Sequence, residues 1–179
     1  MGIDPGTNFM GYAIIKVFGK NQKPELVVSG IVDMIKITDP DIKLQRIVSR
    51  TLQVIDSYQP DELAIEAQFY GKNVQSMLKL GRAQGVAIAA ALQRDIPIFE
   101  YAPKKIKMSI TGTGEASKEQ IALLLGKFMT IPTTISTLDE TDAIAIAYCH
   151  HLQGNLPTTG NPKCKDWGDF IKQNPDKVL

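Results

Sequence analysis

Apolar and polar positions along the chain alternate between a strand-like period of two and a helix-like period near 3.6. The opening Met1-Gly2-Ile3 is apolar and runs through Asp4 into the turn Pro5-Gly6-Thr7. Gly11–Val17 and Leu26–Met34 are rich in β-branched and aromatic residues, and the polar Gly19-Lys20-Asn21-Gln22-Lys23-Pro24 between them predicts a hairpin loop. The first three strands are therefore predicted as an antiparallel meander. Asp39-Pro40 supplies an N-cap with proline in the first turn, and Leu44, Ile47, Val48, Leu52 and Ile55 then recur at helical spacing until Pro60. Leu63–Glu66 predicts a fourth strand, Asn73 to Arg94 a long helix and Ile96–Tyr101 a fifth strand. Ser117 with Gln120 predicts a capping-box helix start, and Asp139 to about His151 a closing apolar helix. This succession predicts one mixed α/β domain.

Composition agrees with a single core: 179 residues, 44% hydrophobic and 22% charged. No apolar stretch approaches the roughly 18 residues of a membrane span, and no signal-peptide pattern opens the chain, so a cytoplasmic setting without membrane contact is expected. Cys149 in an apolar helix and Cys164 in a polar tail suggest a core thiol and a surface thiol, without a disulfide framework. The net charge of +1 hides a segregated distribution. Residues 71–94 carry Lys72, Lys79, Arg82 and Arg94 with no acid, while Lys104, Lys105, Lys107 and Lys118 follow Tyr101. Such groups suit phosphate contacts, although Arg94, Lys104 and Lys105 read as ordinary solvated charges.

Four carboxylates carry the candidate chemistry. Asp4 and Glu66 close apolar strand segments, at the sheet edge where α/β proteins bind ligands. Asp139 and Asp142 stand at i,i+3 spacing at the start of an apolar helix and so share one face. Their charges repel unless a cation lies between them. An all-oxygen donor set favours Mg²⁺ or Mn²⁺ over zinc, and two such ions about 3.5–4 Å apart suit phosphodiester hydrolysis. Taken singly, each acid also fits a solvated charge, and Asp139 an N-cap.

The motifs around these acids resemble, in order, the RuvC-type Holliday-junction resolvases of bacteria. They are Gly2-Ile3-Asp4-Pro5-Gly6-Thr7; Ala64-Ile65-Glu66 with Phe69 and Lys72-Asn73; and Leu78-Lys79-Leu80-Gly81-Arg82-Ala83-Gln84-Gly85-Val86. Tyr101-Ala102-Pro103 with Lys107, Gly112, Gly114 and Lys118 follows, then Asp139-Glu140-Thr141-Asp142 and the apolar residues after it. The resemblance covers roughly residues 1–153, taken as the domain; 154–179 reads as a linker and polar tail anchored only by Trp167, Phe170 and Ile171.

The resemblance implies an RNase H-like fold, a five-stranded mixed sheet flanked by helices. It implies that Asp4, Glu66, Asp139 and Asp142 bind two Mg²⁺ ions, with Lys107 and Lys118 near the scissile phosphate. Paired nicks in a four-way junction would leave 5′-phosphate and 3′-hydroxyl ends. Phe69 would stack at the crossover; Lys72, Asn73, Lys79 and Arg82 would contact DNA. The helix bearing Gly81 and Gly85 would contribute to a homodimer, and a branch-migration helicase of the RuvA and RuvB type would be a partner. Most of the stripe Val74, Met77, Leu78, Gly81, Gly85, Ile88, Ala89 and Leu92 is expected in the chain's own core, and Tyr70 packed under its loop. Gly112 and Gly114 read first as a plain turn, His150 and His151 as structural or surface residues. With three residues ahead of Asp4, the first strand is shorter than this fold normally carries. An RNase H-like enzyme acting on RNA or other branched DNA, or a non-catalytic junction binder, remains the alternative, because fold does not fix substrate.

Overall fold

The computed structural model describes residues 1–18, 22–68, 73–131 and 137–154. Three antiparallel strands come first: β1 (Gly2–Asp4), β2 (Phe9–Lys16) and β3 (Glu25–Asp33). α1 (Pro40–Tyr58) leads to β4 (Leu63–Glu66), which pairs parallel to β1, and α2 (Val74–Leu92) leads to β5 (Ile98–Tyr101), parallel to β4. α3 (Pro103–Thr111), α4 (Lys118–Phe128) and α5 (Leu138–Gly154) complete the described chain. The sheet order β3-β2-β1-β4-β5 is that of the RNase H-like fold, with the antiparallel meander the sequence predicts.

Local chemistry explains most boundaries. The Asp39 carboxylate accepts from the Asp41 and Ile42 amides, and Pro40 occupies the first turn of α1. That helix stops because Gln59 turns left-handed at φ 46°, one residue before Pro60. Ser117 and Gln120 form the reciprocal capping box of α4. α3 is an element that the sequence pattern did not reveal. Pro103 fits its first turn, Ile106 and Ile110 bury one face, and Gly112 closes it at φ +72° as a left-handed helix cap.

Strand alternation divides the core into two layers. Ile3, Leu63 and Ile65 pack with Ile47, Val54, Ala83, Ala87 and Ala91 on the face covered by α1 and α2. Ala13 and Ala64 face Ile106, Leu125, Ile144 and Ile146 from α3, α4 and α5. α5 lies directly on β1 and β2 because Gly2 and Gly11 leave room for its backbone. A Cβ on Gly2 would meet the Ala143 carbonyl and come within 2.7 Å of the Ala147 nitrogen.

One expectation for α2 is corrected. Its inward face is the alanines Ala83, Ala87, Ala90 and Ala91 with Gln84 among them, whereas Val74, Leu78 and Leu92 are exposed by 62%, 54% and 56%. Gly81 and Gly85 lie on the outer surface, with nothing within 4 Å of an added Cβ. Close packing against the sheet and α1 selects alanines, which displaces the larger apolar residues outward.

β1 covers only three residues, beside a β2 of eight. Where its ladder stops, a cavity of about 740 Å³ opens between Ile14–Lys16 of β2, with Val17 after it, and Asp61-Glu62 ahead of β4. The Met1 amine donates to the Glu62 carbonyl at 2.8 Å at the inner end of this gap. Burial pushes that amine down to about 6. Beside it, His150 Nε2 lies 2.7 Å from Glu62, and its Nδ1 shares a 2.7 Å hydrogen bond with the Tyr101 hydroxyl, so this histidine is structural. Cys149 is a buried core thiol. No described helix is long and apolar enough to cross a membrane.

Candidate active site

The parallel register Ile3↔Ile65 brings Asp4 and Glu66 to the same end of neighbouring strands. Across the other side of β1, Asp4 pairs with Gly11, and a Cβ on Gly11 would meet the Asp139 carbonyl and come within 3.3 Å of the Ala143 Cβ. The start of α5 is thereby seated over the end of β1. Thr137 Oγ1 accepts from the Glu140 amide at 3.3 Å, so the hydroxyl caps this helix and leaves Asp139 free of that duty.

Carboxylate oxygens of Asp4, Asp139 and Asp142 lie within 4.8 Å of one another. Glu66 stands outside that tight group yet remains in its field. Desolvation by burial, then the charges of Glu66, Asp142 and Asp139, push the Asp4 carboxyl up to about 7 against the pull of Lys118. Desolvation and the charge of Asp142 likewise raise Glu66, while Lys118 and Lys107 oppose the shift. Asp142 is raised chiefly by burial, offset by its hydrogen bond to Lys118. A site whose acids resist ionisation is one that lacks positive charge.

Lys118 supplies part of that charge. Its ammonium forms an ion pair with Asp142 and lies 3.7 Å from Asp139. A lysine in the first turn of a helix opposes the helix dipole, so the carboxylates and not α4 itself favour it there. Burial would lower its proton affinity, but the hydrogen bond to Asp142 and the charges of Asp142, Asp139 and Asp4 leave it raised. Lys107, on α3, is half-buried and acts electrostatically on Glu66 and Asp142.

The donors are all oxygen, close-set, partly desolvated and mutually repelling, which fits hard divalent cations such as Mg²⁺ or Mn²⁺. Among the described residues, Asp4, Asp139 and Asp142 are the acids close enough together to hold one metal ion.

The other candidate residues divide by position. Lys79 and Arg82 are exposed on α2. Asn73 is exposed and caps α2, its side chain accepting from the Ser76 amide at 3.2 Å. Phe69, Tyr70 and Lys72 lie outside the described residues, as does the tail 155–179 with Cys164. Arg94 is tied to Asp56 at 2.7 Å, and Lys104 and Lys105 are exposed, as expected of solvated charges. One residue that seats the site escaped the sequence reading: Gly11, which leaves room for the Asp139 carbonyl, was legible only as a glycine inside a β-rich run.

Comparison with known proteins places the chain. The family model for crossover junction endodeoxyribonuclease RuvC matches residues 1–150. The crossover junction endodeoxyribonuclease RuvC of Bacteroides fragilis is 54% identical over 180 residues, covering 99% of this chain and 94% of the relative. That of Cytophaga hutchinsonii is 52% identical over 179 residues, covering 99% and 86%. Among solved structures, T. thermophilus RuvC in complex with Holliday junction substrate superposes with a TM-score of 0.79 at 28% identity, covering 87% of this chain and 93% of that one. The chain belongs to the crossover junction endodeoxyribonuclease RuvC family, a family of nucleases.

Proposed function

We propose that this nuclease resolves four-way DNA junctions by paired symmetric nicks, leaving 5′-phosphate and 3′-hydroxyl ends that a ligase can seal. The carrying observation is the convergence of Asp4, Asp139 and Asp142 within 4.8 Å at the end of β1, in a chain whose relatives are crossover junction endonucleases. Two Mg²⁺ ions, for which Mn²⁺ substitutes, would supply Lewis-acid stabilisation and an activated water at these carboxylates. Lys107 and Lys118 flank the acids and offer positive charge to the scissile phosphate. Phe69, Lys72, Asn73, Lys79 and Arg82 would bind the junction, the cations through its phosphates.

The exposed outer face of α2, with Val74, Leu78, Gly81, Gly85 and Leu92, supports a two-fold homodimer. An isologous pair matches the two equivalent strands of a junction. The setting is recombination and DNA repair in the cytoplasm, with a branch-migration helicase of the RuvA and RuvB type as partner. Residues 1–153 form the catalytic domain, and 154–179 an appended tail.

The test is cleavage of a labelled four-way junction beside matched linear duplex, with Mg²⁺ or with EDTA. Paired, ligatable, Mg²⁺-dependent nicks on the junction alone are expected, and Glu66→Gln or Asp142→Asn should abolish them. Intact cleavage in either variant would overturn the assignment of these acids; cleavage of RNA instead would move the substrate elsewhere in the superfamily.

A further inference from the structure

We propose that Gln84 is a positioning residue of the active site, holding the end of β4, and with it Glu66, in register with α2. This rests on the reading of Glu66 as a site carboxylate. Gln84 is 8% exposed and is the one strongly polar side chain among the buried residues of α2, the rest being Ala83, Ala87, Ala90 and Ala91. A buried amide in an alanine face carries a desolvation cost that its hydrogen bonds must offset. Its Nε2 donates to the main-chain oxygen of Glu66 at 3.2 Å and to Glu100 Oε2 at 3.0 Å.

Those two acceptors sit on adjacent parallel strands, β4 and β5, whose register pairs Glu66 with Tyr101. The chain leaves the sheet at this point. The Ala67 amide donates to the Tyr101 carbonyl at 2.9 Å, and α2 starts at Val74. Gln84 therefore clamps the last residue of β4 from the α2 side. The same helix exposes Lys79, Arg82, Gly81 and Gly85 on its other faces. Glu66 is the acid outside the tight group of three, and its backbone is held by the ladder to Tyr101 on one side and by Gln84 on the other.

The test uses the full chain with two variants and one control. Gln84→Met removes the amide at similar volume, and Gln84→Glu keeps the shape but replaces the donor with an acceptor beside Glu100. Glu100→Ala removes the second acceptor and leaves the bond to Glu66. Cleavage is followed in a single turnover at saturating protein, against Mg²⁺ concentration, with junction affinity measured in EDTA and melting followed separately. Losing a hydrogen bond of ordinary net strength corresponds to about a tenfold effect. Both Gln84 variants should therefore cut about tenfold more slowly at saturating junction and need several-fold more Mg²⁺ for half-maximal rate. Junction affinity should stay within about twofold, and Glu100→Ala should cut like the unaltered chain. Equal rates in all proteins, or losses confined to melting temperature and junction affinity, would overturn the proposal. Failure of the unaltered chain to respond to Mg²⁺ would instead count against the metal reading, while its rate relative to the Gln84 variants still decides the positioning role.

Discussion

Lys118 places its ammonium between Asp142, with which it is ion-paired, and Asp139, 3.7 Å away. One flexible cation thus occupies the ground that a divalent ion would contest. Lys118→Met should leave three close carboxylates with less compensation. In EDTA its melting temperature is expected to fall by a few degrees, since the pair is half-exposed and correspondingly weak. Mg²⁺ should restore more stability to the variant than to the unaltered chain, while cleavage drops. Equal Mg²⁺-induced shifts in the two proteins would show that Lys118 and the metal do not compete.

Asp4 gives the site a pH dependence whose sign is fixed. Its folded value of about 7 lies above the usual carboxylate value near 4, so without metal the folded state holds a proton that the unfolded chain releases. The associated stability is present below about pH 4 and is lost as pH rises through 7. Binding a cation requires that proton to leave, so affinity weakens by up to about tenfold per unit below pH 7. The rise in melting temperature caused by a fixed Mg²⁺ concentration is expected to grow from pH 5.5 to 7.5. A rise independent of pH would remove Asp4 from the metal's ligands.

How far these features could be read beforehand follows from the range of the interactions involved. The starts of α1 and α4 were legible because Asp39-Pro40 and Ser117 with Gln120 act within one turn. β4 was legible as a short apolar run closed by Glu66. The acids stood out by their places at strand and helix ends. The inward face of α2 was not legible: periodicity identifies a stripe but not its partner, and close packing turned the alanines inward. Gln84 and Gly11 act on residues far along the chain, Glu66 and Glu100 in one case and Asp139 in the other, and nothing local signals either contact.

Gly11 links packing to chemistry. Its missing side chain lets the Asp139 carbonyl rest on β2, and an added Cβ would also lie 3.2 Å from the Asp139 carbonyl carbon. Gly11→Ala must push the start of α5 outward. The overpacking should cost about 1–3 kcal/mol, or about 2–4 °C of melting temperature per kcal/mol in a chain of this size. Because Asp139 moves with the helix, Mg²⁺ should stabilise the variant less than the unaltered chain. A variant that melts lower yet gains the full Mg²⁺ shift would separate the packing from the metal site.

The cavity between the end of β2 and the turn ahead of β4 is open to an added strand segment. Extending the registers Gly2↔Ala13 and Gly2↔Ala64 places a residue ahead of Met1 beside Ile15 and Glu62, and the next beside Lys16 and Asp61. The second of these shares the face of Met1, toward Tyr58 and Pro60 in the cavity wall. A chain extended by three or four β-forming residues, apolar at that second position, should continue β1 between β2 and β4. Burying one large apolar side chain contributes about 1.5–3 kcal/mol, a rise on the order of 5 °C. The extension also converts the Met1 amine, held down near 6, into an amide. The amine's folded value lies below its unfolded value near 8, so its share of stability is present above pH 8 and lost as pH falls through 6. The difference in melting temperature between extended and unextended chains should therefore be larger at pH 6 than at pH 8, and Asp4, common to both, cancels in that difference. An extension that changes neither the melting temperature nor its slope with pH would mean that the groove does not accept a strand.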